Sequence, residues 1–174
     1  MDIRPWGTRG SIPSPGPSTV RYGGNTSCVE VRLRDGTLII IDAGSGIRPL
    51  GSVLGPTSAT LLLTHYHWDH IQGLPFFFSA FSPQSSVLVY GPEFDGESPE
   101  VVLARQMAHP YFPAAASELR GLKDFQVTPN EPFTVGSATV RAVRVSHPGT
   151  TFAYRIEDDD GVFVYMSDGV NVLG

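Results

Sequence analysis

Leu61-Leu62-Leu63-Thr64-His65-Tyr66-His67-Trp68-Asp69-His70 is an apolar run that ends in three histidines and an aspartate within six residues. The run reads as a strand and its polar tail as a short loop. Imidazole and carboxylate together suit zinc, manganese or iron better than calcium or magnesium. In extended backbone His65 and His67 project to one side, so the two can chelate one ion. Asp69 and His70 follow a turn later and point elsewhere, which suits a second ion. Two ions about 3.5–4 Å apart are a common apparatus for activating a water and clamping an ester oxygen. A single loop histidine is ordinarily just a polar surface residue, but this loop holds three of the chain's five.

On either side of this segment strand signals recur, while helical ones are few. Residues 28–33 alternate, Asp35-Gly36 is a turn, and Thr37-Leu38-Ile39-Ile40-Ile41 is a continuous apolar run. Together they predict a hairpin whose second strand is buried. Further strands are expected at 59–64, 87–90, 138–145, 151–156 and 162–166, the last two joined by the turn Asp158-Asp159-Asp160-Gly161. His65, His147 and Asp168 then each lie just beyond a strand end, where a sheet can present them at one rim. Helices are expected at 69–74 and 99–108. Residues 13–17 are proline-dense and read as a rigid turn. Phe76, Phe77, Phe78 and Phe81 read as core beneath the histidine loop, with a wall for a substrate ring as the alternative. Arg9, Arg21 and Arg48 are candidates to face a phosphate.

The composition bounds the rest. A chain of 174 residues, 41% hydrophobic and 17% charged, suffices for one domain with one sizeable core. No apolar run approaches the length of a membrane span, and residues 1–6 lack a signal-peptide pattern. Cys28 is the only cysteine, so no internal disulfide forms. These features favour the cytoplasm. The net charge of −5 speaks against a grip on long nucleic acid. It does not exclude a small phosphodiester, since bound metal supplies local positive charge.

The histidine motif and the Gly73-Leu74-Pro75 after it resemble the metallo-β-lactamase superfamily. Upstream, Gly7-Thr8-Arg9-Gly10-Ser11-Ile12-Pro13, Tyr22-Gly23-Gly24-Asn25-Thr26-Ser27-Cys28 and Ile41-Asp42-Ala43-Gly44-Ser45-Gly46-Ile47-Arg48 resemble one branch of it. That branch contains tRNase Z and the phosphoribosyl cyclic phosphodiesterases. Ser146-His147-Pro148-Gly149 and Met166-Ser167-Asp168 resemble its later motifs. The resemblance implies an α/β (α+β) fold, an αββα sandwich, as a single domain over residues 1–174. It implies that His65, His67 and His147 hold a first metal, Asp69 and His70 a second, and that Asp168 bridges the two. Asp42 would orient a ligand histidine, although a strand-end cap is the plainer reading.

The same resemblance implies further strands, a late metal-ligating histidine and a Gly-His-Ser segment beyond Asp168. The chain is therefore expected to be incomplete at its C-terminus, and its second metal position to be the weaker. A second copy of the chain or another partner is expected to cover the missing layer. The expected function is hydrolysis of a small phosphodiester or nucleotide-like substrate by metal-activated water at a dinuclear site. Zinc is the first choice of metal and manganese or iron the next, with Asp69 the catalytic carboxylate. Two alternatives stand beside it: a metal-binding remnant without turnover, and a hydrolase of another ester, thioester or lactam.

Overall fold

Residues Leu38–Ile41 are four consecutive apolar residues, all buried in the structure, a computed structural model that describes residues 1–169. Burying each such side chain contributes about 1.5–3 kcal/mol. That exceeds the roughly 1–2 kcal/mol of backbone ordering per residue. A strand buried on both faces needs a layer on each side, and the chain supplies them.

The strands and helices, in chain order, are β1 (Asp2–Gly7), β2 (Cys28–Arg32), β3 (Leu38–Ile41), α1 (Ile47–Leu54), β4 (Ser58–Leu62), α2 (Trp68–Ile71), α3 (Phe78–Phe81), β5 (Ser86–Gly91), α4 (Pro99–Arg105), β6 (Leu122–Val127), β7 (Phe133–Val135), β8 (Ala138–Arg144), β9 (Phe152–Asp158) and β10 (Gly161–Tyr165). One sheet runs β1-β2-β3-β4-β5-β6, antiparallel through β1, β2 and β3 and parallel from β3 to β6. The other is antiparallel, ordered β10-β9-β8-β7.

Side-chain alternation sorts the first sheet into two cores. Ile40, Leu61 and Val89 face the helices, against Ile47 and Leu50 of α1, Phe77, and Leu103 of α4. Ile39, Ile41 and Leu62 face the second sheet, against Val140, Tyr154 and Ile156. Tyr154 is fully buried, and its hydroxyl donates to the Leu63 carbonyl at 2.8 Å, tying the second sheet to the root of the histidine loop.

The α/β sandwich expected from the sequence is therefore present. The outer face of the second sheet carries no helix among the described residues. Val162, Val164 and Met166 stand there 51, 58 and 52% exposed. No helix of the described residues is long and apolar enough to cross a membrane.

Some local expectations need correction. The helix expected over 69–74 ends at Ile71, and Leu74–Phe76 continue as a 3-10 turn, because Pro75 lacks the amide an α-helix requires. The helix expected over 99–108 ends at Arg105. Of the phenylalanines, Phe77 is fully buried and Phe81 packs against the core, but Phe76 and Phe78 are 56 and 54% exposed.

Candidate metal centre

Four strand ends meet at one rim. Asp42 directly follows β3, and His65, His147 and Asp168 each lie a short step beyond the last residues of β4, β8 and β10. Twist and register of the two sheets bring these ends together from sequence positions more than 100 residues apart.

One ligand atom from each of His65, His67, His147 and Asp168 falls within 4.8 Å of the others. His147 Nε2 lies 3.1 Å from His67 Nδ1. Asp168 Oδ2 lies 3.5 Å from His147 Nε2 and 3.8 Å from His65 Nε2. Bonds of about 2.0–2.1 Å to a tetrahedral zinc would separate neighbouring ligand atoms by about 3.4 Å. The observed spacings straddle that value. The other oxygen of the same carboxylate, Oδ1, lies 3.6 Å from His70 Nε2, which is also 3.6 Å from Asp69 Oδ2. Asp168 thus faces two groups of donors, one with each oxygen.

Hydrogen bonds beneath the rim fix which imidazole nitrogens are free. His70 Nδ1 donates to Asp42 Oδ2 at 2.7 Å, which leaves Nε2 aimed at Asp69 and Asp168. The Thr64 hydroxyl donates to Asp42 Oδ1 at 2.9 Å, so its oxygen accepts from His65 Nδ1 at 3.0 Å. His65 Nε2 is then a lone pair. It is buried and has no hydrogen-bond partner. A buried acceptor left unpaired costs roughly 1–3 kcal/mol. A cation among these donors removes that cost, and an N and O donor set is what a borderline ion such as zinc takes.

The electrostatics agree with neutral imidazole at His65. Burial, then the neighbouring His70, His67 and His147 rings, hold His65 down to about 3. At His70 burial also favours the neutral form. The Asp42 hydrogen bond and the charges of Asp42, Asp69 and Asp168 outweigh it and raise the pKa above its ordinary value. Asp42 is itself fully buried, at a left-handed φ of 63° that costs a non-glycine residue about 1–3 kcal/mol. The main-chain amide of Thr64 donates to it as well, at 2.9 Å, and the Ser27 hydroxyl at 3.1 Å.

The flanking glycine-rich motifs form the floor of the site. Thr26 Oγ1 accepts from the Ser45 amide at 2.8 Å and from Gln72 at 3.1 Å, and Ser45 Oγ accepts from the Thr26 amide at 2.9 Å. A Cβ on Gly44 would fall 2.2 Å from the Asp69 carbonyl oxygen, so only glycine lets these segments close. The loop of residues 8–13 reaches over this floor, and the Ser11 amide donates to Asp69 Oδ2 at 2.7 Å. Of the three arginines, Arg9 lines a depression beside His70 and Asp168, Arg21 stacks on Tyr22, and Arg48 lies on α1.

Two depressions flank the cluster. One, of about 390 Å³, is lined by Thr8, Arg9, Ser27, Val29, Tyr165 and Asp168 among others. The other, of about 340 Å³, lies beside His65 and His67 and is walled by Tyr66, Phe94, Val102 and Pro148. The sequence reading missed the Thr64 link and the Phe94 wall. A hydroxyl immediately before the first histidine was the available signal for Thr64. Phe94 gave none, since its neighbours in space are remote in sequence.

Residues 37–172 match the β-lactamase superfamily domain. An uncharacterized protein of Mycobacterium tuberculosis is 30% identical over 146 residues, 77% of this chain and 50% of that protein. A protein named ribonuclease Z from Lachnoclostridium phytofermentans is 30% identical over 165 residues, 90% of this chain and 48% of its own. The chain thus spans about half the length of these curated relatives. Among solved structures, the metallo-β-lactamase fold protein YhfI of Bacillus subtilis aligns with a TM-score of 0.67 at 20% identity, over 95% of this chain and 62% of that one. Human tRNase Z, short form, aligns with a TM-score of 0.62 at 20% identity, over 99% and 71%. A matched domain covering most of the residues, on two sheets whose strand ends gather histidines and aspartates, means that the chain belongs to the β-lactamase superfamily and carries the metallo-β-lactamase fold.

Proposed function

We propose that the chain carries the metal centre of a phosphodiesterase, a hydrolase in which two transition-metal ions, zinc first among them, sit between the donors described above. The observation that carries this is Asp168, whose two carboxylate oxygens face separate donor groups at 3.5–3.8 Å. In this reading His65, His67 and His147 would hold the first ion, Asp69 and His70 would hold the second, and Asp168 would contribute to both. Such ions supply Lewis-acid polarisation of a phosphoryl oxygen and a water acidified to a pKa of about 7.

The chain's own residues do the rest. Asp42 and Thr64 lock His70 and His65 in the tautomers that present Nε2. Asp69, whose Oδ2 accepts from the Ser11 amide, would help orient the attacking water. Arg9 lines the depression beside Asp168, where an anionic diester would be met by positive charge. The preference for phosphoesters over thioesters or lactams is supported by relatives named ribonuclease Z and by a fold neighbour titled a diphosphatase from the PhnP family.

A second reading, metal binding without turnover, rests on the second donor group. Among the described residues Asp69, His70 and Asp168 are its only members. Hydrolysis of bis(p-nitrophenyl) phosphate, measured against added zinc or manganese, separates the two. Turnover that rises with metal and vanishes with chelator supports the phosphodiesterase. Tight zinc binding without turnover of any phosphodiester, thioester or lactam overturns it.

A further inference from the structure

We infer that Tyr165 is a positioning residue of this metal centre: by way of Ser27 its hydroxyl fastens the end of β10 to Asp42, so that Asp168 and the His70 ring it faces are held from one anchor. The inference rests on the dinuclear reading and names what sets the geometry of its second position.

Asp168 stands at a weakly supported place in the sandwich. Among the described residues β10 is the outermost strand of its sheet and pairs with β9 alone. That ladder ends with the pair Tyr165 and Tyr154, three residues short of Asp168. Val162 and Val164 of β10 are exposed, so the strand is packed on one face only. A site of this kind needs its donors held within about 0.5 Å of the working geometry. The support has to come from inside the sandwich.

Two tyrosines supply it. Residues directly opposite in a ladder share a face, and the rings of Tyr154 and Tyr165 both lie on the core between the sheets. Packed sheets lie about 10 Å apart, a gap that a phenol spans. Tyr154 ends on the Leu63 carbonyl, at the root of the histidine loop. Tyr165 ends on Ser27, immediately before β2, with 2.5 Å between the two hydroxyl oxygens. Ser27 Oγ lies 3.1 Å from Asp42 Oδ2, and the Tyr165 oxygen itself 3.4 Å. That carboxylate oxygen is an acceptor only, and it is the one that takes the His70 Nδ1 proton. The shorter contact makes Ser27 the donor to Asp42, and Tyr165 the donor to Ser27. Burial, then the charge of Asp42, push the phenol's pKa up, so the proton stays available for donation.

A closed circuit results. From Tyr165 it runs through Ser27 and Asp42 to His70, and along the backbone to Asp168. Its two ends face each other at 3.6 Å, His70 Nε2 against Asp168 Oδ1. The first metal position depends on this circuit far less, because His65, His67 and His147 come from other segments.

The test is calorimetric titration of zinc into the metal-free chain, in which turnover plays no part. Two uptake steps are expected for the parent. Tyr165→Phe keeps the ring and removes the hydroxyl. It is expected to weaken the second step about tenfold, the lower end for partners of metal ligands, and to leave the first within about twofold. Ser27→Ala leaves the phenol its direct contact with Asp42 and is expected to cost less. The double variant is expected to match Tyr165→Phe alone, since both changes cut one link. Equal weakening of both steps means that the hydroxyl serves general packing, and overturns the inference. So does a double variant whose two losses multiply. Unchanged titration of Tyr165→Phe overturns it while leaving the dinuclear reading intact. A parent that takes up no second ion overturns both.

Discussion

His70 Nδ1 donates to Asp42 Oδ2 across 2.7 Å, and both side chains are out of contact with water. One carboxylate so placed sets two histidines. It holds His70 directly, and through the Thr64 hydroxyl it holds His65. Partners of this kind typically alter metal affinity about 10–100-fold. Asp42→Asn is isosteric but removes the charge and can turn a donor toward His70. We expect zinc affinity to fall within that range, and Thr64→Val to lower it by a smaller factor through His65 alone. Competition with a chromophoric chelator measures both. An Asp42→Asn protein that holds zinc as tightly as the parent would show that the two imidazoles are set by something else.

Metal binding should register as stability. Ions that bind the folded chain stabilise it by about 2.7 kcal/mol at 100 times their Kd. For a domain of this size that corresponds to a rise in Tm of about 5–10 °C. The rise should be lost in His65→Ala, whose Nε2 is the buried unpartnered nitrogen of the cluster. Melting curves superimposable with and without zinc would remove the metal centre from consideration.

The parts of this design that were legible in the sequence are those written locally. A continuous β-branched run predicted β3, and the turn at Asp35-Gly36 predicted its pairing with β2. Histidines packed into one loop announced the cluster. What sequence periodicity could not supply was anything set by distant partners. β1 pairs with β2 across a long loop, and its burial is mostly exposed, so no alternation marks it. β6 is likewise exposed along most of its length and reads as polar, and β7 has only three residues. α1 contains Pro49 and Gly51, poor helix formers, yet it forms because Ile47 and Leu50 bury against the sheet and Gly51 leaves room for Phe77. The Phe94 wall belongs to the same class, since it exists only once the strands are assembled.

Cys28 is the chain's one thiol and is fully buried. Burial, then the charges of Asp42 and Glu30, push its pKa well above the ordinary value, so it stays protonated and unreactive. A thiol reagent should label the native protein only as fast as it unfolds, and denaturant should make labelling immediate. Cys28→Ala should retain whatever hydrolysis the parent shows. Rapid labelling of the native chain accompanied by loss of turnover would place a cysteine in the chemistry and contradict the assignment.

The two sheets share a clip on the side away from the metal centre, and its pH dependence has a definite sign. Asp35 Oδ1 accepts from the Thr37 amide and Oδ2 from the Ser137 amide, each at 2.8 Å, so one carboxylate joins the β2–β3 turn to the β7–β8 turn. The hydrogen bonds from Thr37, then those from Ser137, lower its pKa below the ordinary 3.8. A carboxylate whose folded-state pKa is depressed binds fewer protons folded than unfolded. Its contribution is therefore complete above about pH 3.8 and is lost as pH falls through the folded-state value. Asp35→Ala should be less stable than the parent at neutral pH, and the gap should narrow once pH drops below the ordinary carboxylate pKa. Denaturant unfolding of both chains in excess chelator, from pH 7 down to pH 3, reads the gap without interference from metal. No gap at neutral pH would mean that the two backbone amides find water as good a partner as Asp35, and a gap that stays constant down to pH 3 would mean that its source is not the carboxylate's charge.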